Sequence, residues 1–161
     1  MKRILIILLT FAVLFSLAAC SQESEEIVSP VNFYYRNTTV TFGSESGVIS
    51  AEVAESKDYG GKILDILNVY IKGPYKDNHR YTFPIETVVL SCTVSGDTAY
   101  IEVNNVLARL TGMDLTIACA CLAKTTMELI DVTSVNISAA DVNLDGNTSI
   151  TISQDSILLS D

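Results

Sequence analysis

Pairs of strand-like segments separated by single helical segments are the feature that most constrains the fold of this chain. Apolar residues recur at every second position, as in half-buried strands, in residues 31–41, 48–54, 87–94, 98–103, 134–139 and 148–153. Apolar residues three and four positions apart mark two helical segments, which follow the first and the second strand pair. The resulting order, ββ-α-ββ-α-ββ, predicts an α+β domain in which two helices pack on a largely antiparallel sheet.

The clearest hairpin spans residues 87–103 and turns at Ser95-Gly96-Asp97. On its first strand, alternation places four apolar residues on one face: Val88, Leu90, Cys92 and Val94. On its second strand, alternation directs three apolar residues inward: Ala99, Ile101 and Val103. In segment 48–54, the same reasoning places Ile49, Ala51 and Val53 together on one side.

The helical segments carry start and stop signals. Asp58 is a plausible N-cap for the first helix, and Gly73-Pro74 is expected to stop it, because glycine tolerates a left-handed cap and proline cannot continue a helix. The second helix begins with Thr111-Gly-Met-Asp114, which matches a capping box, and is expected to run to about Ile130.

The second helix has apolar residues on two faces. Five apolar residues line the first face: Leu115, Ala118, Cys119, Leu122 and Leu129. Lys124 and Glu128 are spaced to pair on the opposite side. A second small apolar strip comprises Ile117, Ala120 and Cys121, and it predicts contact with another element of the domain or, alternatively, with another molecule.

The first nineteen residues are typical of an export signal. Met-Lys-Arg precedes a continuous apolar run that is short for a membrane-spanning helix and ends in small residues. The run leads into Leu17-Ala18-Ala19-Cys20, which resembles the lipobox of bacterial lipoproteins. The resemblance implies that the thiol of Cys20 takes a diacylglycerol and that Cys20 becomes the mature N-terminus. The alternative is an ordinary signal peptide that happens to end near a cysteine.

A lipidated Cys20 would hold the protein at the membrane, because two acyl chains anchor stably at about 0.8 kcal/mol per buried methylene. The polar, acidic stretch up to Pro30 is typical of a tether. The sequence therefore predicts a signal peptide over 1–19, a lipidated cysteine and flexible tether over 20–30, and a single domain over 31–161. It also predicts an extracytoplasmic location with anchoring to the cell membrane.

The charge of the chain excludes two classes of partner. The sequence has 10 basic and 19 acidic side chains, a formal charge of −9. Removal of Lys2 and Arg3 with the leader leaves 8 basic against 19 acidic, or −11. Nucleic acids and anionic lipid surfaces both attract basic proteins, so neither is an expected partner of the folded domain. Contact with the bilayer is predicted through Cys20, together with protein partners or self-association.

No recognisable motif indicates catalysis or a cofactor. The single histidine, His79, lies in a predicted loop, and no nucleophile, base and orienting acid can be assembled from the sequence. We therefore predict a protein that is not an enzyme and has no cofactor or metal. The stretch Asp141-Val-Asn143-Leu-Asp145-Gly146 copies the opening of a calcium loop, but the twelfth position, which needs a carboxylate, is Ile152. A hairpin turn is the favoured interpretation, and a calcium-dependent adhesin is the alternative.

Two sets of side chains have more than one interpretation. Cys119 and Cys121 project in different directions from one helix and cannot bond to each other there, whereas a Cys92–Cys119 disulfide is conceivable. The favoured interpretation is that Cys92 and Cys119 are small buried apolar residues. Six tyrosines either form a binding face or are divided between core and surface: Tyr34, Tyr35, Tyr70, Tyr75, Tyr81 and Tyr100.

Four stretches together resemble the GerMN domain of spore germination and sporulation lipoproteins. They are IKGP at 71–74, FPIETVVLSCTVSGDTAYIEV at 83–103, KTTMEL at 124–129 and V-x-I at 135–137. The resemblance covers about residues 31–152. It implies a wall- or membrane-associated accessory protein without known catalytic residues. It also implies a fold similar to the ring-building motifs that oligomerise in secretion-type assemblies.

These observations combine into one expected function. The chain is expected to be a membrane-anchored extracytoplasmic lipoprotein that acts as a non-catalytic scaffold or assembly module of the cell envelope. The GerMN resemblance implies a link to sporulation or germination. The alternative is a module that binds peptidoglycan or assists a wall enzyme.

Overall fold

Seven strands and two α-helices form the described part of this computed structural model, which comprises residues 30–39, 47–54 and 61–157. Their order is β1 (Val31–Asn37), β2 (Ile49–Ala54), α1 (Ile63–Tyr70), β3 (His79–Arg80), β4 (Val89–Ser95), β5 (Thr98–Val103), α2 (Gly112–Leu129), β6 (Ser134–Ala139) and β7 (Ile150–Ser153). The predicted α+β class and element order are confirmed, and β3 is an addition of two residues between α1 and β4.

The strands form two sheets rather than one. The first sheet has the order β2-β1-β3 and the second has the order β4-β5-β6-β7. All pairings are antiparallel except that of β5 with β6, which is parallel because α2 connects them as a crossover.

Helix α2 explains why there are two sheets. It packs against β1 on one side and against β6 and β7 on the other, so both of its apolar faces are covered. Ile117 is 7% exposed and Cys121 is fully buried. Two of the three residues of the second apolar strip are therefore buried within the same domain, and Ala120 is half-buried.

An aromatic cluster joins α1 to the first sheet. The ring of Tyr70 lies 5.3 Å from Phe33, 5.0 Å from Tyr35 and 5.5 Å from Phe83, measured between centroids. Tyr70 donates a hydrogen bond of 2.7 Å to the carbonyl of Tyr34, and Tyr35 donates one of 2.7 Å to the carbonyl of Tyr70. Burial raises the pKa of Tyr70 well above its ordinary value, so its hydroxyl stays a donor.

Gly73 follows α1 at a point where the chain passes against Tyr35. A Cβ atom at this position would overlap the hydroxyl of Tyr35 and would lie 2.9 Å from its ring carbon Cζ. The sequence predicts that this glycine forms a left-handed helix cap, and that explanation is wrong. Glycine is required here because the Tyr35 ring leaves no room for a side chain.

Two strands show a different alternation from the predicted one. In β4, the register shifts between Val89 and Ser91, so Val89 is buried whereas Val88 and Leu90 are exposed. In β2, Glu52 is buried and Val53 is 59% exposed, which reverses the expected faces. The inner face of β2 is polar because it contacts His79, which a hydrophobic pattern cannot reveal.

The helix signals are confirmed in part. Thr111 makes no capping bond, and the first amide of α2, that of Gly112, donates instead to Oδ2 of Asp145 at 3.1 Å. Lys124 and Glu128 pair as expected, with 3.6 Å between Nζ and Oε1. Asp58 lies outside the described residues. Within the described ranges, no helix combines the length and the apolar content needed to cross a membrane.

Candidate functional site

Cys20, the predicted lipidation site, lies outside the described residues, so its lipidation stays a prediction. The described part brings three other sets of residues together. These are a buried polar cluster beneath β2, a groove that contains two arginines, and an open strand edge at β4.

The buried polar cluster is centred on His79, whose side chain is 1% exposed. Its Nδ1 lies 3.3 Å from Oε2 of Glu52, and its Nε2 lies 2.9 Å from Oγ of Ser50. The hydroxyl of Ser50 also bonds Oδ1 of Asn37. The cluster therefore links β1, β2 and β3 through side chains. It lies beside the pairing of β1 with β3, which has only two paired positions.

The serine, histidine and glutamate of this cluster stand in the order of a hydrolase triad. The sequence contains no motif that signals this grouping, and the structure brings the three side chains together. Ser50 and Glu52 share a face because they are two apart on a strand. His79 is 27 residues from Glu52 and arrives only because Asn37 of β1 pairs with it, a contact that no local pattern signals.

The hydrogen-bond pattern of this cluster differs from that of a nucleophilic serine. The amide nitrogen of Asn37 donates to the carbonyl of Gly47 at 2.6 Å, so its oxygen faces Ser50 and accepts the hydroxyl proton. The hydroxyl of Ser50 is then directed away from the imidazole, so Ser50 accepts from Nε2 of His79, while Nδ1 faces Oε2 of Glu52. A nucleophilic serine needs the reverse arrangement, with its hydroxyl donating to a neutral imidazole. The cluster is thus a buried hydrogen-bonded network of four side chains that links three strands.

The second set is the arginine groove, a depression of about 220 Å³ between the first sheet and the start of α2. It is lined by Arg36, Arg80, Tyr81, Thr82, Leu110, Asp114 and Ile117. Arg36 and Asp114 form an ion pair, with 2.6 Å between Nη1 and Oδ1. This pair also corrects the predicted capping box, because Asp114 contacts an arginine of β1 instead of its own helix end.

The third set is the edge of β4. The sheet edges of the described part are β2, β3, β4 and β7. Natural proteins protect such edges by shortness, proline, bulges or charge. β3 has two residues and β7 has four, while β2 points the charge of Glu52 inward. β4 has seven residues, with neither a charge nor a proline, and its bulge lies at its N-terminal end.

The open part of this edge is short and well defined. At the first end, the side chain of Asn68 pairs with both backbone groups of Val89, at 3.0 Å each. Beyond it, the two-residue turn makes Ser95 and Thr98 a hydrogen-bonded pair, so alternation turns the N–H and C=O groups of Cys92 and Val94 outward. Val94 is 54% exposed. Apolar side chains thus flank backbone groups that pair with no other described residue, and another strand can extend such an arrangement.

The three described cysteines are free thiols, and the Cys92–Cys119 disulfide that the sequence allowed is not formed. Burial raises the pKa of Cys92 from 9.0 to about 11 and that of Cys119 to about 12. Burial also raises the pKa of Cys121. All three are therefore thiols rather than thiolates at neutral pH, and they pack as small apolar residues.

Alkylation of Cys92 at pH 8 is expected to be about 100-fold slower than that of an unhindered thiol, because a pKa near 11 removes most of the thiolate. The rate should rise about tenfold per pH unit until the pH approaches that pKa. Peptide-resolved mass spectrometry after timed iodoacetamide treatment measures this, and the urea-unfolded chain is the control. A rate equal to that of the unfolded chain would contradict the partial burial of the Cys92 thiol.

The tyrosines and the Asp-Gly loop do not form separate sites. Tyr34, Tyr35 and Tyr70 are buried, whereas the other three described tyrosines of the set are exposed, so they are divided between core and surface. Asp145 caps α2, and Ile152 lies in β7. Within residues 30–39, 47–54 and 61–157, no group of three or more histidine, cysteine or acidic residues is placed to hold a metal.

Comparison with solved structures shows that the fold is that of a GerMN domain. The first GerMN domain of the sporulation protein GerM from Bacillus subtilis superposes with a TM-score of 0.57 and 13% identity, covering 80% of this chain and 99% of that domain. The tandem GerMN domains of the same protein give a TM-score of 0.56 and 17% identity, covering 88% of this chain and 50% of theirs. No protein-family model and no curated protein matches the sequence. The GerMN resemblance is thereby confirmed at the level of fold, and the chain spans half of the tandem.

Proposed function

We propose that this chain, with its GerMN fold, is a lipoprotein anchored outside the cytoplasm that serves as a non-catalytic assembly module of the cell envelope. Its domain associates with a second copy through the open edge of β4. Because GerM is a sporulation protein, we assign the module to a sporulating or germinating cell.

The anchor in this proposal is Cys20. The signal peptide over 1–19 directs export, the diacylglyceryl group on Cys20 holds the chain at the membrane, and residues up to Pro30 act as a spacer. Ten extended residues reach about 33 Å, so the domain can meet neighbours without lying on the lipid. The excess of acidic residues keeps the domain off an anionic bilayer and leaves its edge accessible.

The observation that carries the assembly role is the part of the β4 edge beyond Val89, where the described residues supply neither a charge nor a proline. A second strand placed against it would pair the outward backbone groups of Cys92 and Val94 and would cover the exposed side chains of Leu90 and Val94. Main-chain hydrogen bonds and apolar burial then act together. Two copies of β4 that meet antiparallel would join the two second sheets into one continuous sheet.

Sedimentation velocity on residues 21–161 under reducing conditions tests this association. These residues retain the whole described core, because every member of it lies between residues 31 and 157. The sedimentation coefficient is expected to rise with concentration. Replacement of Val94 with lysine should abolish the rise, because a charge at the edge opposes strand pairing and a residue that is 54% exposed can be changed without unfolding the domain.

The matched control is Val53→Lys, which adds the same charge to β2 at a residue that is 59% exposed. This variant should associate like the unmodified chain. A chain that stays monomeric at every concentration, or equal weakening by both variants, would contradict the proposal. A pull-down with purified cell wall would then test the alternative of a peptidoglycan-binding module.

A further inference from the structure

The arginine groove contains an arrangement that an acidic protein would be expected to avoid. Arg36 of β1 and Arg80 of β3 are directly opposite each other in the register of the first sheet. Like charges in directly opposed positions destabilise a sheet. The chain has 10 basic residues against 19 acidic ones, so two of a small number of cations meet at this point.

A single carboxylate compensates this pair of arginines. Asp114 bonds Arg36 at 2.6 Å, and its side chain is 62% exposed. Within the described residues, Arg80 has no acidic partner, although its backbone is held by pairing with β1. The groove therefore keeps one positive charge in excess and presents a guanidinium group whose donors face solvent.

The walls of the groove are suited to a small organic group rather than to a bare ion. Tyr81 is 74% exposed at the rim, and Leu110 and Ile117 supply apolar surface. The hydroxyl of Thr82 accepts from the amide of Arg36 and donates to the carbonyl of Arg80. It therefore connects β1 to β3 at the position of the two arginines. The volume of about 220 Å³ is below that of pockets that enclose a whole drug-sized ligand, so the groove is suited only to a small group.

We propose that the arginine groove binds a carboxylate carried by a short peptide. The planar guanidinium of Arg80 matches a carboxylate in a two-bond fork, and this geometry favours arginine at such sites. The aliphatic part of the bound residue lies between Tyr81 and Ile117. The groove belongs to the first sheet, whereas the β4 edge belongs to the second, so this binding does not depend on the proposed association.

Nuclear magnetic resonance titration of residues 21–161 tests the proposal, with the dipeptide N-acetyl-alanyl-alanine as the probe. Its C-terminal amide is the matched ligand without the charge. The free carboxylate should shift the side-chain resonances of Arg80 and the backbone resonance of Tyr81 in a saturable manner, whereas the amide should not. Added salt should weaken the binding, because the site is exposed to solvent.

Replacement of Arg80 with glutamine should weaken binding at least about tenfold, whereas Lys72→Gln, which removes an exposed charge elsewhere, should leave it unchanged. Inorganic phosphate provides a second arm. Three results would overturn the assignment: equal shifts from the acid and the amide, unchanged affinity in Arg80→Gln, or binding of phosphate without binding of the peptide carboxylate. The Val94→Lys variant should bind the probe normally, so failure here and failure of the β4 association can be told apart.

Discussion

Replacing Glu52 with glutamine is expected to lower the free energy of unfolding by about 3 kcal/mol, which is a large part of the stability of a domain of this size. The carboxylate side chain is 5% exposed and faces the imidazole of His79, which is 1% exposed. Removal of the carboxylate leaves a buried polar partner unsatisfied, and an unsatisfied buried group costs stability. Urea denaturation of residues 21–161 at neutral pH measures the loss.

The matched control for this variant is Glu102→Gln. Glu102 is an exposed residue of β5, and its replacement should change the free energy of unfolding by less than about 0.5 kcal/mol. Ser50→Ala should cost only about 1 kcal/mol, the net value of an ordinary hydrogen bond. If Glu52→Gln were as mild as Glu102→Gln, the contact of Glu52 with His79 would not stabilise the first sheet, and a catalytic role for Ser50 would have to be reconsidered.

Replacing Gly73 with alanine is expected to lower the free energy of unfolding by about 2 kcal/mol. The new methyl group would overlap the hydroxyl of Tyr35, and crowding of this kind in a packed core costs about 1–3 kcal/mol. Tyr35 cannot easily move aside, because its hydroxyl is bonded to the carbonyl of Tyr70 at 2.7 Å. Thermal and urea unfolding of the variant measure the effect.

A double-mutant cycle with Tyr35→Phe separates crowding from backbone strain. In the Tyr35→Phe background, the additional loss caused by Gly73→Ala should become smaller, because the overlapping oxygen is gone. Gly96→Ala is the control, since Gly96 has a φ of +58° and a Cβ added there would meet no atom within 4 Å, so its cost should be independent of Tyr35. Equal losses at Gly73 in both backgrounds would contradict the role assigned to Tyr35.

Much of the fold could be predicted because it depends on local patterns. Alternating apolar residues predicted β1, β5 and β6, and the turn at Gly96 predicted the pairing of β4 with β5. The GerMN resemblance rests on the same turns and core positions. These features are encoded within short segments, where side-chain period and turn chemistry decide the structure.

The two-sheet arrangement could not be predicted, because it depends on contacts that are distant along the chain. Helix α2 is apolar on two faces, and its sequence permits either one domain that surrounds it or an interface with another molecule. The amide of Tyr34 donates to Oγ1 of Thr125 at 2.9 Å, a pairing across 91 positions. Such contacts enclose the helix within the domain. The spacing of apolar residues within one segment does not indicate them.

The candidate sites were hidden from the sequence for the same reason. His79 lies in a predicted loop, and only the pairing of β1 with β3 places it beneath Ser50 and Glu52. Arg36 and Arg80 are 44 residues apart in the sequence, yet they are opposite each other in the first sheet. The missing protection of β4 becomes meaningful only when the sheet order shows that this strand is an edge.

Hydrogen exchange at the amides of Cys92 and Val94, compared between dilute and concentrated protein, tests the central claim most directly. If copies associate through β4, exchange at these two amides should slow as concentration rises, because each becomes hydrogen-bonded to the second copy. The amide of Val53, on the edge of β2, should exchange at the same rate in both samples. Exchange at Cys92 and Val94 that does not depend on concentration would contradict the claim that this edge is where the module assembles.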